Sequence, residues 1–517
     1  MMVPDGCGDT HTTLARWYKG SSLALDEMPS GLVRTYASNS IITDSAPAAT
    51  AFATGHKTAD KFVGVLPGPV TIPGVEPVPA ELQYSPVASL VEAAKAKGMS
   101  VGLIATSNVQ HATPAAFSSH VHARSYYNEI AEQQVYMDID VMFGGGLQYL
   151  LPDDMGGVRT DGEDLVSVLE SRGYEFVMDR DGMMSLPAQT DKVWGMFAME
   201  AMAKDYDRSL PQFSSQPSLS EMTDKAIEVL SQNPRGFFLM VEGSQVDWSS
   251  HANDPIGVIS EVLAFDAAVE SALDFAKMDR HTLVLAFTDH GNGGMSIGST
   301  KTDNSYSSLP LSAMLDPLMQ ADLTAEGLTY VIPMNADSAT VRQIVSERFG
   351  ISDLTDEEVA QIQSARNAGK SLEGLCGKMI SQRSTIGWTT GGHCGEDVTL
   401  YSFGPNRPVG LFENTDLAKI CADALHLNLG VTTTDLFVDA DAACEARGAD
   451  TFLDLSDPVN GVLLVQVDGV TVASMPLSKD LMYFDGDVYE LSGIVVYAPK
   501  TGKVYVPQEA LDILALA

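Results

Sequence analysis

Short apolar runs alternate along most of the chain with longer stretches whose apolar positions recur every three or four residues. Val101 to Ala105, Phe237 to Val241 and Thr282 to Phe287 read as buried strands, and Val87 to Lys97, Ser220 to Gln232 and Ile256 to Lys277 as helices. The alternation predicts an α/β fold of three αβα layers, with a central, mostly parallel sheet and helices on both faces. Polar residues gather at or just after the strand ends: Asp5-Gly6, Asp44-Ser45, His111 and Thr113, Glu242, and Asp289-His290. Open α/β sheets bind ligands at that edge. Met1 to Gly6 reads as the tail of a buried strand whose beginning is missing, and no charged region followed by an apolar stretch, as in a secretory signal, precedes it.

Residues 1–434 read as one main unit, with a Pro/Gly-rich loop between Lys61 and Pro79 and an inserted cap over about 301–383 that carries helical pattern at Asp356 to Arg366. From 435 to 517 the character changes. Val462 to Val467, Val470 to Ala473, Val488 to Leu491 and Ile494 to Tyr497 are short β-type runs divided by Asp468-Gly469, Asp485-Gly486 and Thr501-Gly502, which predicts a small β-rich extension.

Ser45 follows the short apolar run Ser40-Ile41-Ile42-Thr43 and opens the small-residue stretch Ala46-Pro47-Ala48-Ala49-Thr50-Ala51. The pattern predicts a strand handing over to a helix N-terminus, with Pro47 tolerated in the first turn and free N–H groups around the hydroxyl. An anion is favoured there. Serine is a weak nucleophile without a neighbouring base or metal, so the rest of the chain must supply its activation.

A net charge of −37, from 68 acids against 31 bases, disfavours nucleic acid or an anionic membrane as partner, and no run is long enough to span a bilayer. An anionic substrate would need bound cations or a dedicated arginine. The five cysteines lack the paired spacings of zinc ribbons; one pair could cross-link, and the sequence does not say which. Asp247 and His251 are four apart and share a face if helical, Glu242 could serve a second ion, Asp289-His290 follows a buried strand, and His393 lies in Thr390-Gly391-Gly392-His393. Asp247 with His251 is as readily a solvated acidic loop, and a single histidine is more often structural; together these groups supply nitrogen and oxygen donors for two zinc sites, with an oxygen-rich third site suited to magnesium.

The sequence resembles the alkaline phosphatase family from Asp5 to about Gly430. The resemblance rests on Asp44-Ser45-Ala46-Pro47-Ala48-Ala49-Thr50-Ala51, His111-Ala112-Thr113-Pro114, His120-Val121-His122-Ala123-Arg124, Glu242 with Asp247 and His251, Thr288-Asp289-His290-Gly291, and Thr390-Gly391-Gly392-His393. It implies hydrolysis of small phosphate monoesters through a phosphoserine on Ser45. Asp247, His251 and His393 would hold one Zn2+. Asp5, Asp289 and His290 would hold a second, and Asp5 would bridge to a Mg2+ shared with Thr113 and Glu242. It further implies that Arg124 clamps two phosphate oxygens, with Asp44 orienting it, and that His111 and Trp248 stand beside the third metal and phosphate where the usual pattern has aspartate and lysine. An imidazole at His111 favours zinc or cobalt over magnesium in the third site.

The family likeness suggests export to the periplasm or cell surface and commonly a homodimer. A phosphodiesterase or sulfatase-like relative, or a metal- or phosphate-binding protein, are the competing readings. Arg124 and Glu242 favour the monoesterase, and retention of Ser45 favours an enzyme.

Overall fold

The computed structural model describes residues 1–514. The chain divides into two compact units: Met1–Thr35 with Met202–Asp224 and Val241–Leu411, and Tyr36–Ala201 with Lys225–Met240 and the chain from Phe412 onward. The fold is α/β, with a large, mostly parallel sheet flanked by helices. Its strands include β1 (Met2–Pro4), β2 (Pro29–Arg34), β3 (Ser100–Asn108), β4 (Val141–Gly145), β5 (Glu175–Val177), β6 (Val193–Met196), β7 (Phe237–Gly243), β8 (Val284–Ala286) and β9 (Val398–Phe403).

In the first unit the order is β2-β9-β8-β1-β7. β1 is parallel to both neighbours, with Val3 opposite Glu242 and Pro4 opposite Gly243, whereas β9 runs antiparallel to β2 and β8. Asp5, Glu242 and Asp289 therefore leave adjacent parallel strands at the same end. In the second unit the order is β3-β4-β6-β5, all parallel, and β3 delivers His111 and Thr113 beyond its C-terminal end. β3, β4 and β6 are buried on both faces, as helices on either side require.

The expected helices form with shifted ends, at Leu90–Ala96, Leu219–Leu230 and Pro255–Asp279. The strand expected at Ser40 to Thr43 does not form. Ile41 and Ile42 lie in an exposed bend, at 69% and 51% exposure, because no neighbouring strand pairs with that segment. The helix that follows, Ser45–Thr54, begins at the expected residue and is buried along its whole length. Its alanines and threonines leave room for that, and Gly55 closes it in the left-handed conformation at φ 83°.

Segment 301–383 carries helices at Ser312–Leu315, Gly327–Val331, Ser338–Phe349, Asp356–Asn367 and Glu373–Arg383. Their apolar sides (Val341, Val345, Phe349, Val359, Ile362 and Ile380) share one core with Leu14, Ile256 and Ile259 of the same unit. Fully buried Lys204 is anchored between Glu326 and Glu373, a pairing that fixes this segment in place.

Beyond Val438 a five-stranded antiparallel sheet forms in chain order from Asp450–Asp454 to Asp487–Glu490, and a three-stranded one joins Val438–Asp439, Lys503–Val506 and Val496–Ala498. The strands Val438–Asp439, Asp450–Asp454, Leu481–Phe484 and Lys503–Val506 have no separate signal in the sequence. All five cysteines are free thiols, so no cross-link forms. Among the described residues no helix is long and apolar enough to cross a membrane.

Candidate active site

The first unit gathers donors for divalent metals. The segment Gln245–His251 is helical, so Asp247 and His251 lie on one face, with His251 Nε2 3.2 Å from Asp247 Oδ2. His393, on the short strand His393–Cys394 paired with Gly291–Asn292, brings its Nε2 to 3.3 Å from His251 Nε2 and 3.7 Å from Asp247 Oδ1. His251 Nδ1 bonds the Gly391 carbonyl at 2.7 Å, which assigns that nitrogen its proton and leaves the Nε2 lone pair facing His393. Two nitrogens about 2.05 Å from a tetrahedral zinc stand about 3.3 Å apart, so the pair already has the spacing of two ligands on one ion.

A second set adjoins it. His290 Nε2 lies 3.0 Å from Asp289 Oδ2 and 3.7 Å from Asp5 Oδ1. Asp289 Oδ1 accepts the N–H groups of Gly6 and His290 at 3.1 and 3.0 Å, which turns Oδ2 towards the imidazole. Donor atoms of Asp5, Asp247 and His290 all lie within 4.8 Å of one another, as do those of Asp247, His251 and His393. Asp247 thus stands between the two sets.

Burial opposes ionisation of Asp247 and Asp289, yet the hydrogen bond from His251 and the nearby imidazoles in the first case, and His290 in the second, hold both below the usual carboxylate range. Buried carboxylates and imidazoles so arranged suit a divalent cation, which satisfies all of them at once. Gly6 is part of the design. Its φ is +69°, and a Cβ there would meet Asp247 Oδ1 at 2.6 Å. Glu242, fully buried at the end of β7, accepts from Ser244 Oγ at 2.8 Å. Trp248, half-buried, follows Asp247 on the same helix.

The second unit gathers the groups expected to handle the phosphoryl oxygens. Ser45 is the first residue of its helix and is buried. Asp44 occupies the cap position but does not cap; its carboxylate turns instead to Arg124, accepting from Nη1 at 2.7 Å. Arg124 Nη2 lies 2.9 Å from His111 Nε2, so both ends of the guanidinium are held. Lys61 Nζ stands 3.2 Å from Asp44 Oδ1. Burial works against the Asp44 charge, but Arg124 and Lys61 prevail and lower its carboxyl to about 2. Thr113, in the helix Ala112–Ser118 that His111 opens, keeps a buried Oγ1 that takes no hydrogen bond.

Within each unit, then, the expected residues converge. Two contributors went unread. Asn292 donates Nδ2 to Asp247 Oδ1 at 2.6 Å and to its carbonyl at 3.0 Å, fixing that carboxylate; it lies within the glycine-rich loop after His290, where its type was the available signal. Lys61 had no signal beyond opening a Pro/Gly-rich loop. His120 and His122 serve as structure. His120 bridges Glu92 and the Gly64 carbonyl, and burial lowers His122 to about 4.

The family model described as "Alkaline phosphatase" matches residues 1–427. Alkaline phosphatase 3 of Bacillus subtilis (strain 168) is 36% identical over 455 residues, covering 83% of this chain and 89% of that protein. Two solved structures are similar in fold. The cold-active alkaline phosphatase of Shewanella sp. has a TM-score of 0.69 at 30% identity, covering 82% of this chain and 98% of its own. The alkaline phosphatase of Thermus thermophilus has a TM-score of 0.71 at 26% identity, covering 83% and 90%.

Proposed function

The chain belongs to the alkaline phosphatase family of metal-dependent phosphomonoester hydrolases, and on that premise we propose that it works through a phosphoserine on Ser45, with two zinc ions and a third metal. The observation that carries this reading is the facing pair of His251 and His393 nitrogens beside Asp247, spaced as ligands of one ion.

The chain's own groups account for substrate handling. Ser45 opens its helix, at the positive end of the helix dipole, where an anion is favoured. Arg124, anchored through both Nη atoms, offers a planar guanidinium fixed in advance for two phosphate oxygens, a geometry lysine cannot copy. Asp44 acts through Arg124 as a positioning group, and His111 braces the opposite Nη. Trp248 is assigned to the substrate side next to Asp247. Zinc ions held by Asp247, His251 and His393, and by Asp5, Asp289 and His290, would supply Lewis-acid stabilisation of the serine alkoxide and of the departing oxygen. Asp5, Thr113 and Glu242 are the proposed ligands of the third metal, a role that suits the buried Thr113 hydroxyl, and the imidazole of His111 nearby favours zinc or cobalt over magnesium.

A phosphate monoester dianion needs more positive charge than a diester or sulfate, and Arg124 with a third metal supplies it. The test compares p-nitrophenyl phosphate, bis-p-nitrophenyl phosphate and p-nitrophenyl sulfate, with and without chelator and with Ser45→Ala alongside. Chelator-sensitive turnover of the monoester, lost in Ser45→Ala, is expected. Chelator-insensitive hydrolysis, or no turnover by the metal-loaded protein, would overturn the reading. Export to the periplasm or cell surface and a homodimer belong to the same reading, tested by cell fractionation and sedimentation.

A further inference from the structure

One side chain ties the segment that follows His251 to the loop that carries His393. Asn253, buried and at φ +57°, makes the left-handed turn just past the helix Gln245–His251, a conformation that asparagine tolerates better than most residues. Its Nδ2 uses both hydrogens, donating to the Ser250 carbonyl at 3.0 Å and to the Thr390 carbonyl at 3.0 Å. Both partners only accept, so the amide nitrogen must face them. The next carbonyl along, that of Gly391, accepts from His251 Nδ1 at 2.7 Å. Consecutive peptides of the His393 loop are thus held from residues 251 and 253.

Segment 301–383 closes the circuit. In its last helix, Glu373–Arg383, buried Ser381 donates Oγ to the Asn253 carbonyl at 3.1 Å and accepts from Trp388 Nε1 at 2.9 Å. Trp388 shortly precedes Thr390 in the chain, so the hydrogen bonds run from Asn253 to the His393 loop and return through Trp388 and Ser381. Gly377 of the same helix permits the close approach. A Cβ there would meet Asp254 Cα at 2.8 Å and the Asn253 carbonyl oxygen at 3.0 Å.

We propose that Asn253 is a positioning residue for the zinc ligands His251 and His393, and that segment 301–383 tunes zinc affinity through it. Its removal leaves every ligand in place but frees the His393 loop to slide along the helix. Two imidazole nitrogens 3.3 Å apart grip one ion only while that spacing is kept. The proposal rests on the zinc-site reading of these residues and adds to it a role for a segment that supplies no ligand. Asp5, Asp289 and His290 lie beyond other strand ends, at β1 and β8, so zinc held there should not respond.

The test titrates the zinc-loaded full chain with a competing chromophoric chelator, and records the visible absorption of the Co2+-loaded protein, whose intensity reports coordination geometry. Wild type, Asn253→Gly and Ser381→Ala are compared. Glycine keeps the left-handed turn and removes Nδ2. The zinc equivalent that is lost in His393→Ala should bind about 10-fold to 100-fold more weakly in Asn253→Gly and about fivefold more weakly in Ser381→Ala, with the Co2+ spectrum altered and the other equivalents unchanged. Ser381→Ala decides the matter should Asn253→Gly fail to fold. Wild-type affinity and spectrum in the folded variants, or equal weakening of every equivalent, overturns the proposal, while zinc binding by the wild type leaves the zinc-site reading standing. A wild type that binds no zinc sinks both.

Discussion

The donor cluster of the first unit and the Ser45–Arg124 cluster of the second solve the same electrostatic problem in opposite ways. Around Asp247 and Asp289, buried carboxylates are matched by imidazoles and N–H donors, an arrangement suited to divalent cations. Around Asp44 the matching charges are built in, from Arg124 and Lys61. A highly acidic protein can therefore handle an anion, provided one cluster imports positive charge and the other carries its own. The first should depend on metal supply and the second on covalently fixed side chains.

The sharpest way to break that contrast is to remove the nucleophile without touching the donors. Ser45→Ala should lower turnover of p-nitrophenyl phosphate by about 10³-fold or more, while metal content by atomic emission stays at the wild-type value. Loss of metal from this variant would mean that the serine holds the cluster together.

His393→Ala tests the imported charge. It should cost about 10²-fold in activity and one equivalent of tightly held zinc. Chelation of the wild type should likewise lower the melting temperature, since an ion at a hundredfold excess over its Kd contributes about 2.7 kcal/mol. Chelation with no thermal effect would show that the buried carboxylates are stable without cations.

The built-in charge is tested next. Arg124→Lys keeps the charge and loses the fork, so kcat/KM should fall by about 10-fold to 100-fold with metal content unchanged. Full activity there would mean that charge alone suffices.

The smallest effect concerns Asp44 and acid. Its carboxyl lies at about 2 in the folded chain against an ordinary value near 3.9, so its stabilising contribution is complete above about pH 4 and disappears as pH falls towards 2. Urea unfolding of Asp44→Asn should show a deficit of about 2 kcal/mol at pH 6 that closes near pH 2. A deficit independent of pH would assign the loss to packing.

Much of this was legible beforehand because it is local. Asp247 and His251 are four residues apart, and helical geometry alone puts them on one face. Strand ends announced Asp5, Glu242 and Asp289-His290 because apolar runs stop abruptly there. What failed is also local in form but not in cause. Ile41-Ile42 has strand composition, yet strand formation needs a partner, and none pairs with it. Lys61 reaches Asp44 from a loop whose path no periodicity describes. The β-rich region gave up four of its described strands and hid four, since Val438–Asp439, Asp450–Asp454, Leu481–Phe484 and Lys503–Val506 are too short to stand out until their neighbours pair with them.

By itself the sequence determined which chemistry the chain could carry: a serine at a helix start, imidazoles and carboxylates beyond strand ends, and one arginine in a recognisable motif. Side-chain type and short-range periodicity are properties of neighbours in the chain. Only the tertiary structure decided that His251 turns Nε2 towards His393, that Asp44 abandons its cap for Arg124, and that the five thiols stay apart. Each of those depends on contacts between segments far apart in sequence, where distance and burial, not composition, set the energy.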